Sequence, residues 1–369
     1  MKHKIVFRMA VALLLYSVLV YYIAWNGWIW LHNALGLEVK WIYYSIAGLV
    51  SYSYIIGHEF KKLSTFKIIG AYWFAVLQYS ILLLPIADLS AWLLRFSGLA
   101  KQTAVIWTGA AVLVILAFIF IYGTYNAYNP VIRSYSIAIP KQANIPRLRI
   151  VMASDMHFGR LSGISHLRRL VKEINKLKPD LILLPGDIID DDPEPFIRKN
   201  MGDILKELSA PLGVYGVLGN HEYYGGAIPK FVQEMERIGI TILQDTMVKI
   251  ADSLYLVGRK DKTDSERLTI KDLISELDAS RPIMMMDHQP TELALAEQHK
   301  VDLLLSGHTH RGQMAPNHLI TRRVFELDWG YLKRNQLHAI VSSGYGFWGP
   351  PLRIGSRSEI IQIQLTFHV

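Results

Sequence analysis

The chain has 369 residues, of which 51% are hydrophobic and only 19% are charged. This composition is too apolar for a soluble enzyme, so part of the chain is expected to lie in lipid. The formal net charge of +8 suits a protein that works beside anionic lipids or on a phosphorylated substrate. The sequence has no basic run interleaved with aromatics, so nucleic acid is not an expected partner. The absence of cysteine excludes disulfides, thiolate nucleophiles and sulfur-ligated metals.

The first 128 residues are predicted to form a membrane module of four transmembrane helices. Each apolar segment is close to the ~20 residues that a helix needs to cross the hydrocarbon. Trp and Tyr cluster near several segment ends, as in interfacial belts. The segments are 6–30, 39–56, 68–85 and 104–122. The second segment is the weakest because serines dilute it, and a re-entrant or interfacial segment is the alternative.

The positive-inside rule predicts the orientation of this multi-pass protein in the cell membrane. With four spans, most of the Lys and Arg residues near the spans fall on the side of the N-terminus. That side carries Lys2, Lys4, Arg8, Lys61, Lys62, Lys67, Arg133, Lys141, Arg147 and Arg149, and the other side carries Lys40, Arg95 and Lys101. Both termini and the C-terminal domain are therefore predicted to be cytoplasmic. One span more or fewer would reverse this result.

The composition changes abruptly after Tyr128. From about Leu148, short runs rich in Ile, Val and Leu alternate with helix-length amphipathic stretches at 164–177, 195–208, 228–238 and 266–277. This alternation predicts an α/β domain in which helices cover the faces of a sheet. We therefore divide the chain into a membrane module at 1–128, a linker at 129–147 and a catalytic domain at 148–369.

Five of the apolar runs in this domain end in side chains that commonly bind metals. These side chains are Asp155 and His157, Asp187, Asn220 and His221, His288, and His308 with His310. The carboxyl ends of strands are where α/β sheets place their sites. Gly186, Gly219 and Gly307 precede three of the groups and allow the backbone to turn tightly around a small centre.

This mixture of ligand types indicates the chemistry of the site. Carboxylate and amide oxygens combined with imidazole nitrogens suit Mn²⁺, Fe or Zn²⁺ better than Ca²⁺ or a thiolate-bound metal. Two such ions can neutralise charge on a phosphoryl group and lower the pKa of water towards ~7. Solvent can then be the nucleophile, which agrees with the absence of cysteine and of a Gly-x-Ser-x-Gly elbow.

The same residues stand in ordered motifs that resemble a known family. The motifs are Asp155-x-His157, Gly186-Asp187, Gly219-Asn220-His221-Glu222, His288 and Gly307-His308-Thr309-His310. In this order they are similar to the calcineurin-like metallophosphoesterase superfamily, over roughly residues 148–369. The stretches GHTHRGQ and SSGYGFWGPPLRIGSRSEI resemble its bacterial YkuE/YaeI-like branch. The resemblance implies a β-sandwich flanked by helices in αββα layers.

The resemblance also implies two metal sites that share Asp187. One would consist of Asp155, His157, Asp187 and His310, and the other of Asp187, Asn220, His288 and His308. His221 would act on the leaving group or stabilise the transition state. Arg311 stands where the branch usually has glycine, and its guanidinium could bind a substrate phosphate or pair with a nearby acid.

The leading functional hypothesis is a metal-dependent phosphoesterase or pyrophosphatase acting on a membrane-adjacent substrate, including a lipid-linked one. The alternative is a membrane sensor or scaffold with little turnover, which the intact ligand set disfavours. A transporter is disfavoured because the spans carry no charge pair. The acidic run at 190–192 is typical of a solvated loop. The remaining histidines, among them His166, lack partners in the sequence and receive no function.

Overall fold

The computed structural model describes residues 2–59 and 64–368. These residues form two compact units, 1–122 and 123–369. Lys61 and Lys62, counted above for the membrane orientation, lie outside the described residues.

The described part of the first unit is helical. Its helices are α1 (Lys2–Leu35), α2 (Lys40–Ser51), α3 (Ser53–Glu59), α4 (Ser64–Phe96) and α5 (Lys101–Tyr128), the last of which ends in the second unit. Within the described residues, three helices are long and apolar enough to cross a membrane, namely α1, α4 and α5. Membrane association is therefore supported, but the prediction of four transmembrane helices is wrong.

The predicted second span is interrupted near Tyr52, where α2 ends and α3 begins. The hydroxyl of Ser51 donates to the carbonyl of Ala47, and the hydroxyl of Ser53 donates to the carbonyl of Val50. Such local hydrogen bonds compete with the helical ladder. The resulting helices have 12 and 7 residues, fewer than the ~20 needed for a crossing.

The second unit is an α/β fold with two six-stranded sheets, as the alternating pattern predicts. The strands are β1 (Val131–Gln142), β2 (Arg147–Met152), β3 (Leu181–Pro185), β4 (Val214–Val217), β5 (Thr241–Ile242), β6 (Thr246–Ile250), β7 (Leu254–Gly258), β8 (Ile283–Met286), β9 (Leu303–Ser306), β10 (Gly330–Arg334), β11 (Leu337–Val341) and β12 (Glu359–His368). The strand orders are β1-β12-β2-β3-β4-β5 and β10-β11-β9-β8-β7-β6. Both sheets are mixed, with parallel centres and antiparallel pairs such as β12–β2 and β6–β7.

Helices connect these strands. They are α6 (Ile164–Lys176), α7 (Glu194–Arg198), α8 (Met201–Leu205), α9 (Asn220–Gly225), α10 (Ile228–Arg237), α11 (Ile270–Ile274), α12 (Leu293–Gln298) and α13 (His318–Val324). The helices predicted at 164–177 and 228–238 are confirmed as α6 and α10. The helix predicted at 195–208 is divided between α7 and α8, and the one predicted at 266–277 is shortened to α11.

Buried apolar side chains hold the two sheets. One hydrophobic cluster contains residues of both sheets, including Met152 and Leu183 of the first and Met284 and Leu305 of the second. A second cluster packs the apolar stripe of α6, which includes Leu170, against the first sheet. This packing follows from apolar residues recurring at helical spacing along α6.

Strand β1 occupies most of the segment predicted to be a linker. It pairs in parallel with β12 over a long register that begins with Val131 opposite Glu359. Its apolar residues alternate with polar ones, and Ile137 and Ile139 are buried. This alternation is that of a half-buried strand, so residues 131–142 of the segment belong to the first sheet.

Candidate metal centre

The predicted ligands lie where parallel neighbouring strands end. Asp155 and His157 follow β2, Asp187 follows β3, and Asn220 and His221 follow β4. In the second sheet, His288 follows β8, and His308 and His310 follow β9. Because parallel strands end at the same edge of a sheet, each sheet brings its polar residues together.

Five of these residues adopt left-handed backbone conformations. Their φ angles are 52° for Asp155, 46° for His157, 51° for Asp187, 70° for His308 and 48° for His310. L-residues adopt this region at a cost of ~1–2 kcal/mol each. Such strain is concentrated at functional sites, where the surrounding structure compensates for it.

The first cluster contains Asp155, His157 and His310, which are all buried. The Nε2 atoms of the two histidines are 3.0 Å apart, and His310 Nε2 is 3.6 Å from Asp155 Oδ1. Burial lowers the pKa of His157 to about 3, and burial also holds the pKa of His310 well below its usual value. Two neutral imidazoles and one carboxylate that converge in this way fit a divalent cation, because ligand histidines must be unprotonated.

The second cluster contains Asp187, His288, His308 and Asn220. His288 Nε2 is 3.1 Å from Asp187 Oδ2, and Asn220 Oδ1 lies 2.8 Å from His308 Nδ1 and 3.2 Å from His288 Nε2. His288 donates from Nδ1 to the carbonyl of Pro185 at 2.8 Å. This bond fixes the ring so that Nε2 points at the other donors, as metal-binding histidines require.

Asp187 lies between the two clusters. Its Oδ2 is 3.1 Å from His288 and 3.8 Å from His157 Nε2. Burial alone would raise the pKa of Asp187, but the neighbouring histidines, His288 first, hold that pKa well below its usual range. By contrast, burial raises the pKa of Asp155 to about 6. Asp187 is therefore the more strongly ionised of the two carboxylates.

Two glycines allow backbone to approach these carboxylates closely. A Cβ added at Gly307 would lie 2.1 Å from Asp155 Oδ2, and one added at Gly219 would lie 2.1 Å from Asp187 Oδ1. Both distances are far below a van der Waals contact. The two positions therefore require glycine as long as the carboxylates keep their places.

His221 lies beside the first cluster, with its ring centroid 4.6 Å from that of His157. It donates from Nδ1 to Asp191 Oδ1 at 2.8 Å. Burial opposes a charge on this ring, but the hydrogen bond to Asp191 and the charge of Asp187 raise the pKa of His221 to about 9. Asp191 belongs to the acidic run predicted to be a solvated loop. Its side chain is half exposed, yet it orients a residue of the site.

Sequence reasoning also gave no role to Glu222 and Arg353. The buried Glu222 carboxylate accepts backbone N–H groups from Asp187, Ile189 and Gly219. Arg353 is fully buried, and its Nη2 donates to the carbonyls of Gly344 and Gly346 and lies 3.2 Å from His310 Nδ1. Glu222 belongs to the Gly-Asn-His-Glu motif and Arg353 to the closing stretch, so their positions in the motifs were the available signal.

Arg311 follows His310 directly. Its guanidinium lies 3.9 Å from the ring centroid of Trp329, and its Nε is buried without a hydrogen-bond partner among the described residues. The expected alternative, pairing with an acid, is not found in the described parts of the chain. Burial lowers the pKa of Arg311, so its charge is incompletely solvated.

The donors in these two clusters are close enough to hold metal ions. The ligand atoms lie within 4.8 Å of one another in the groups Asp155–His157–His310 and Asp187–His288–His308, and a third group joins His157, Asp187 and His221. Carboxylates and unprotonated imidazoles are the chemistry that Mn²⁺, Fe and Zn²⁺ prefer. The residues present therefore fit two divalent cations.

Comparison with known proteins identifies the family to which the chain is similar. Residues 148–312 match the family model described as calcineurin-like phosphoesterase. An uncharacterised metallophosphoesterase of Campylobacter jejuni is 31% identical over 269 residues, which cover 69% of this chain and 68% of that protein. A transmembrane protein with metallophosphoesterase domain of Danio rerio is 29% identical over 287 residues, covering 73% and 64%.

The uncharacterised metallophosphoesterase YkuE of Bacillus subtilis is 27% identical over 219 residues, which cover 58% of this chain and 77% of that protein. The chain spans between 56% and 64% of the length of several curated relatives that it matches.

Proposed function

Because the chain belongs to the calcineurin-like metallophosphoesterase family, we propose that it is a membrane-anchored hydrolase of phosphoester or phosphoanhydride bonds. The observation that carries the proposal is the position of Asp187, whose carboxylate faces His157 of one buried cluster and His288 of the other. A carboxylate shared between two ligand clusters is what a two-metal phosphoesterase needs.

In this proposal, one ion is held by Asp155, His157, Asp187 and His310, and the other by Asp187, Asn220, His288 and His308. When bound, the two ions supply an activated water nucleophile and neutralise negative charge on the phosphoryl group. Mn²⁺, Fe and Zn²⁺ all suit this ligand set. We also retain the αββα layering of helices and sheets, which is supported by the buried cluster common to both sheets.

His221 is proposed to exchange a proton with the leaving-group oxygen. Asp191 accepts from its Nδ1 at 2.8 Å and thereby fixes the orientation of the ring. This leaves Nε2 as the nitrogen available for the proton transfer. Glu222 positions the neighbouring backbone, since it accepts three N–H groups around Asp187.

Arg311 is proposed to bind a non-bridging oxygen of the substrate phosphate. Three observations support this role. Arg311 is next to His310, its guanidinium stacks on Trp329, and it forms no ion pair within the described residues. A guanidinium that is not neutralised by a carboxylate remains available for an anionic substrate. Arg133 also lies over Trp329, with 4.7 Å to the ring centroid, but it is paired with Glu359.

A lipid-linked phosphoester or pyrophosphate is the proposed substrate class, because the three candidate spans keep the domain beside a bilayer.

We also propose that the catalytic domain is cytoplasmic. With three crossings the chain ends lie on opposite sides, and Lys and Arg are more numerous on the side of the catalytic domain. One span fewer therefore changes the side of the N-terminus and not that of the catalytic domain. The side of the catalytic domain carries Lys40, Lys61, Lys62, Lys67, Arg133, Lys141, Arg147 and Arg149, and the other carries Lys2, Lys4, Arg8, Arg95 and Lys101.

The proposal is tested on the full chain purified in neutral detergent and loaded with Mn²⁺. The substrates are bis-p-nitrophenyl phosphate, p-nitrophenyl phosphate and a lipid pyrophosphate, and bound metal is measured by elemental mass spectrometry. We expect Mn²⁺-dependent hydrolysis of at least one substrate. Protein that holds two ions per chain but hydrolyses none of them would favour the sensor or scaffold instead.

The orientation is tested separately with a reporter fused after Val369. Activity of a reporter that works only in the cytoplasm is expected. Activity of a reporter that works only outside the cytoplasm would contradict the proposed orientation and leave the hydrolase proposal intact.

A further inference from the structure

A cavity lies in the unit 123–369, at the amino-terminal end of α6. Its volume is about 420 Å³, and its walls include Tyr128, Gly163, Ser165, His166, Arg169 and Lys199. None of these residues belongs to the proposed metal ligands. We call it the α6 cavity.

The backbone of α6 contributes hydrogen-bond donors to this cavity. The helix has 13 residues and begins after Gly163, which has no side chain that could cap it. The first N–H groups of a helix have no partner within the helix. In α6 the N–H groups of His166 and Leu167 donate to the carbonyl of Gly163, so the available donors are those of Ile164 and Ser165. Together with the helix dipole, these groups favour an anion at the helix N-terminus.

The charged side chains of the α6 cavity are all basic. Lys199 donates to the carbonyl of Gly159 at 3.0 Å, and Arg169 donates to the carbonyl of Tyr128 and to the Asn129 side chain at 3.4 Å. Within the described ranges, neither forms an ion pair with a carboxylate. Burial and then the charges of Arg160 and Arg198 lower the pKa of Lys199. The positive charge here is therefore not neutralised by the protein's own carboxylates.

His166 provides an independent observation. The residue is only 4% exposed, and its Nδ1 is buried with no hydrogen-bond partner among the residues that the structure describes. Its Nε2 makes a 3.4 Å contact with the carbonyl of Tyr345. Burial lowers the pKa of His166 to about 4, so the ring is neutral, and Nδ1 is an acceptor because Nε2 faces a carbonyl. Buried polar atoms in proteins nearly always have a partner, so this nitrogen points to a ligand that carries a hydroxyl as well as a negative charge.

The α6 cavity is separate from the metal centre. The ring of Tyr345 stacks on that of His166 with 4.2 Å between centroids. On the other side, the backbone N–H of Tyr345 donates to the carbonyl of Ser154, the residue before Asp155. One residue thus stands between the cavity wall and the ligand loop.

We propose that the α6 cavity binds a phosphate group, carried by a phospholipid headgroup or by a free phosphate ion. Two basic side chains and helix N–H groups suit the charge and the acceptor oxygens of phosphate. The His166 Nδ1 acceptor suits a protonated phosphate oxygen or a headgroup hydroxyl. Tyr128 ends α5, a helix long and apolar enough to cross a membrane. Tyrosine at the end of a span lies at headgroup level, which favours the lipid source. This site goes beyond the proposed hydrolase activity.

The test uses the full chain in neutral detergent after chelation of metals, so that phosphate cannot bind through ions at the metal centre. One arm measures retention of phosphatidylglycerol against uncharged diacylglycerol by native mass spectrometry. The other arm measures binding of inorganic phosphate by equilibrium dialysis. We expect wild type to retain one phosphatidylglycerol, or to bind one phosphate, in a saturable manner.

Two variants act on the cavity by different means. Ser165→Asp adds a negative charge in the first turn of α6, where a carboxylate is compatible with the helix, and Lys199→Gln removes a positive charge. Each should weaken binding about tenfold, as expected for a charge-assisted hydrogen bond. The matched control is Lys176→Gln, at the last turn of the same helix and paired with Glu173, which should bind like wild type.

The two arms identify the source of the phosphate group. If the variants retain less phosphatidylglycerol than wild type, the cavity is a headgroup site. If they lose only the binding of inorganic phosphate, the cavity is a site for the free ion. Equal binding by wild type, Ser165→Asp and Lys199→Gln would overturn the proposal. The proposal would also be overturned by wild-type protein that retains phosphatidylglycerol no better than diacylglycerol and shows no saturable binding of phosphate. Unchanged Mn²⁺ uptake by the variants shows that they are folded.

Discussion

The metal centre and the α6 cavity both contain buried histidines, but the hydrogen bonds of these histidines differ. At the metal centre, His288 donates to the carbonyl of Pro185 and His221 to Asp191, both at 2.8 Å. In the α6 cavity, His166 Nδ1 has no partner among the described residues. His288 and His221 are therefore oriented before any ligand binds, whereas His166 is not held in this way. His157 Nδ1 of the metal centre also has no partner among the described residues, so the contrast applies to His288 and His221.

The two regions also differ in charge. The metal centre brings the carboxylates of Asp155 and Asp187 together with several imidazoles, a set of side chains that can bind cations. The α6 cavity has Arg169 and Lys199 in its wall and no carboxylate of its own among the described lining residues. One fold thus carries a proposed cation site and a proposed anion site on either side of Tyr345, and substitutions can test whether they act independently.

The largest expected effect is that of Asp187→Asn. Asparagine keeps the shape of the aspartate side chain and tolerates the positive φ of this position. It removes the negative charge that faces both clusters. We expect kcat on bis-p-nitrophenyl phosphate to fall about 10³-fold or more, because metal-assisted stabilisation contributes several kcal/mol. Phosphate binding in the α6 cavity should stay at the wild-type level.

A matched control for this substitution is Asp252→Asn. Asp252 has the same φ of 51° as Asp187, but it is exposed and lies outside both sites. Its variant should hydrolyse like wild type. If Asp187→Asn kept both ions and most of its turnover, Asp187 would not be the shared ligand.

His221→Ala should lower kcat about 10²-fold while leaving metal content unchanged, because the loss is that of a positioned proton donor or acceptor. The measurement is kcat together with bound Mn²⁺ per chain. His299→Ala, at the end of α12, is the control and should have no effect. A parallel loss of metal and activity would instead make His221 a ligand, as its grouping with His157 and Asp187 permits.

Asp191→Asn should lower kcat about tenfold, the effect typical of removing a residue that orients a functional histidine. Asp192→Asn is the neighbouring control, since Asp192 accepts from the backbone of Glu194 rather than from His221. The double variant with His221→Ala should be no slower than His221→Ala alone. Additive losses would mean that Asp191 acts on substrate or metal without His221.

The grouping of the proposed metal ligands could be predicted because each of them belongs to a local sequence pattern. Each ligand follows a buried strand such as β3 or β9, and a short apolar run before Asp187 or His308 is visible in the sequence. The parallel pairing of neighbouring strands then brings distant motifs together. The α/β class and the grouping of the predicted ligands were accessible for this reason.

Long-range contacts could not be predicted from the sequence in the same way. Strand β1 pairs with β12, with Ile132 opposite Ile360. No local pattern in the β1 segment predicts β12 as its partner. The contact of Asp191 with His221 depends on how two loops approach each other, so an acidic run gave only the expectation of a solvated loop. The second apolar segment had the length of a span, but serine side chains near Tyr52 bond to the helix backbone where α2 ends.

The smallest expected effect is that of Tyr345→Phe, which tests whether the two regions are independent. The phenol donates to the carbonyl of His166 at 2.9 Å, whereas the contact with the ligand loop is made by the backbone N–H. Removing the hydroxyl should therefore loosen the first turn of α6 and weaken phosphate binding a few-fold, the usual effect of one neutral hydrogen bond. The backbone contact beside Asp155 survives, so kcat should change less than phosphate affinity. The two quantities are measured on the same preparation, with Tyr255→Phe in β7 as the matched control. A fall in kcat as large as the fall in phosphate affinity would show that the metal centre and the α6 cavity work as one site.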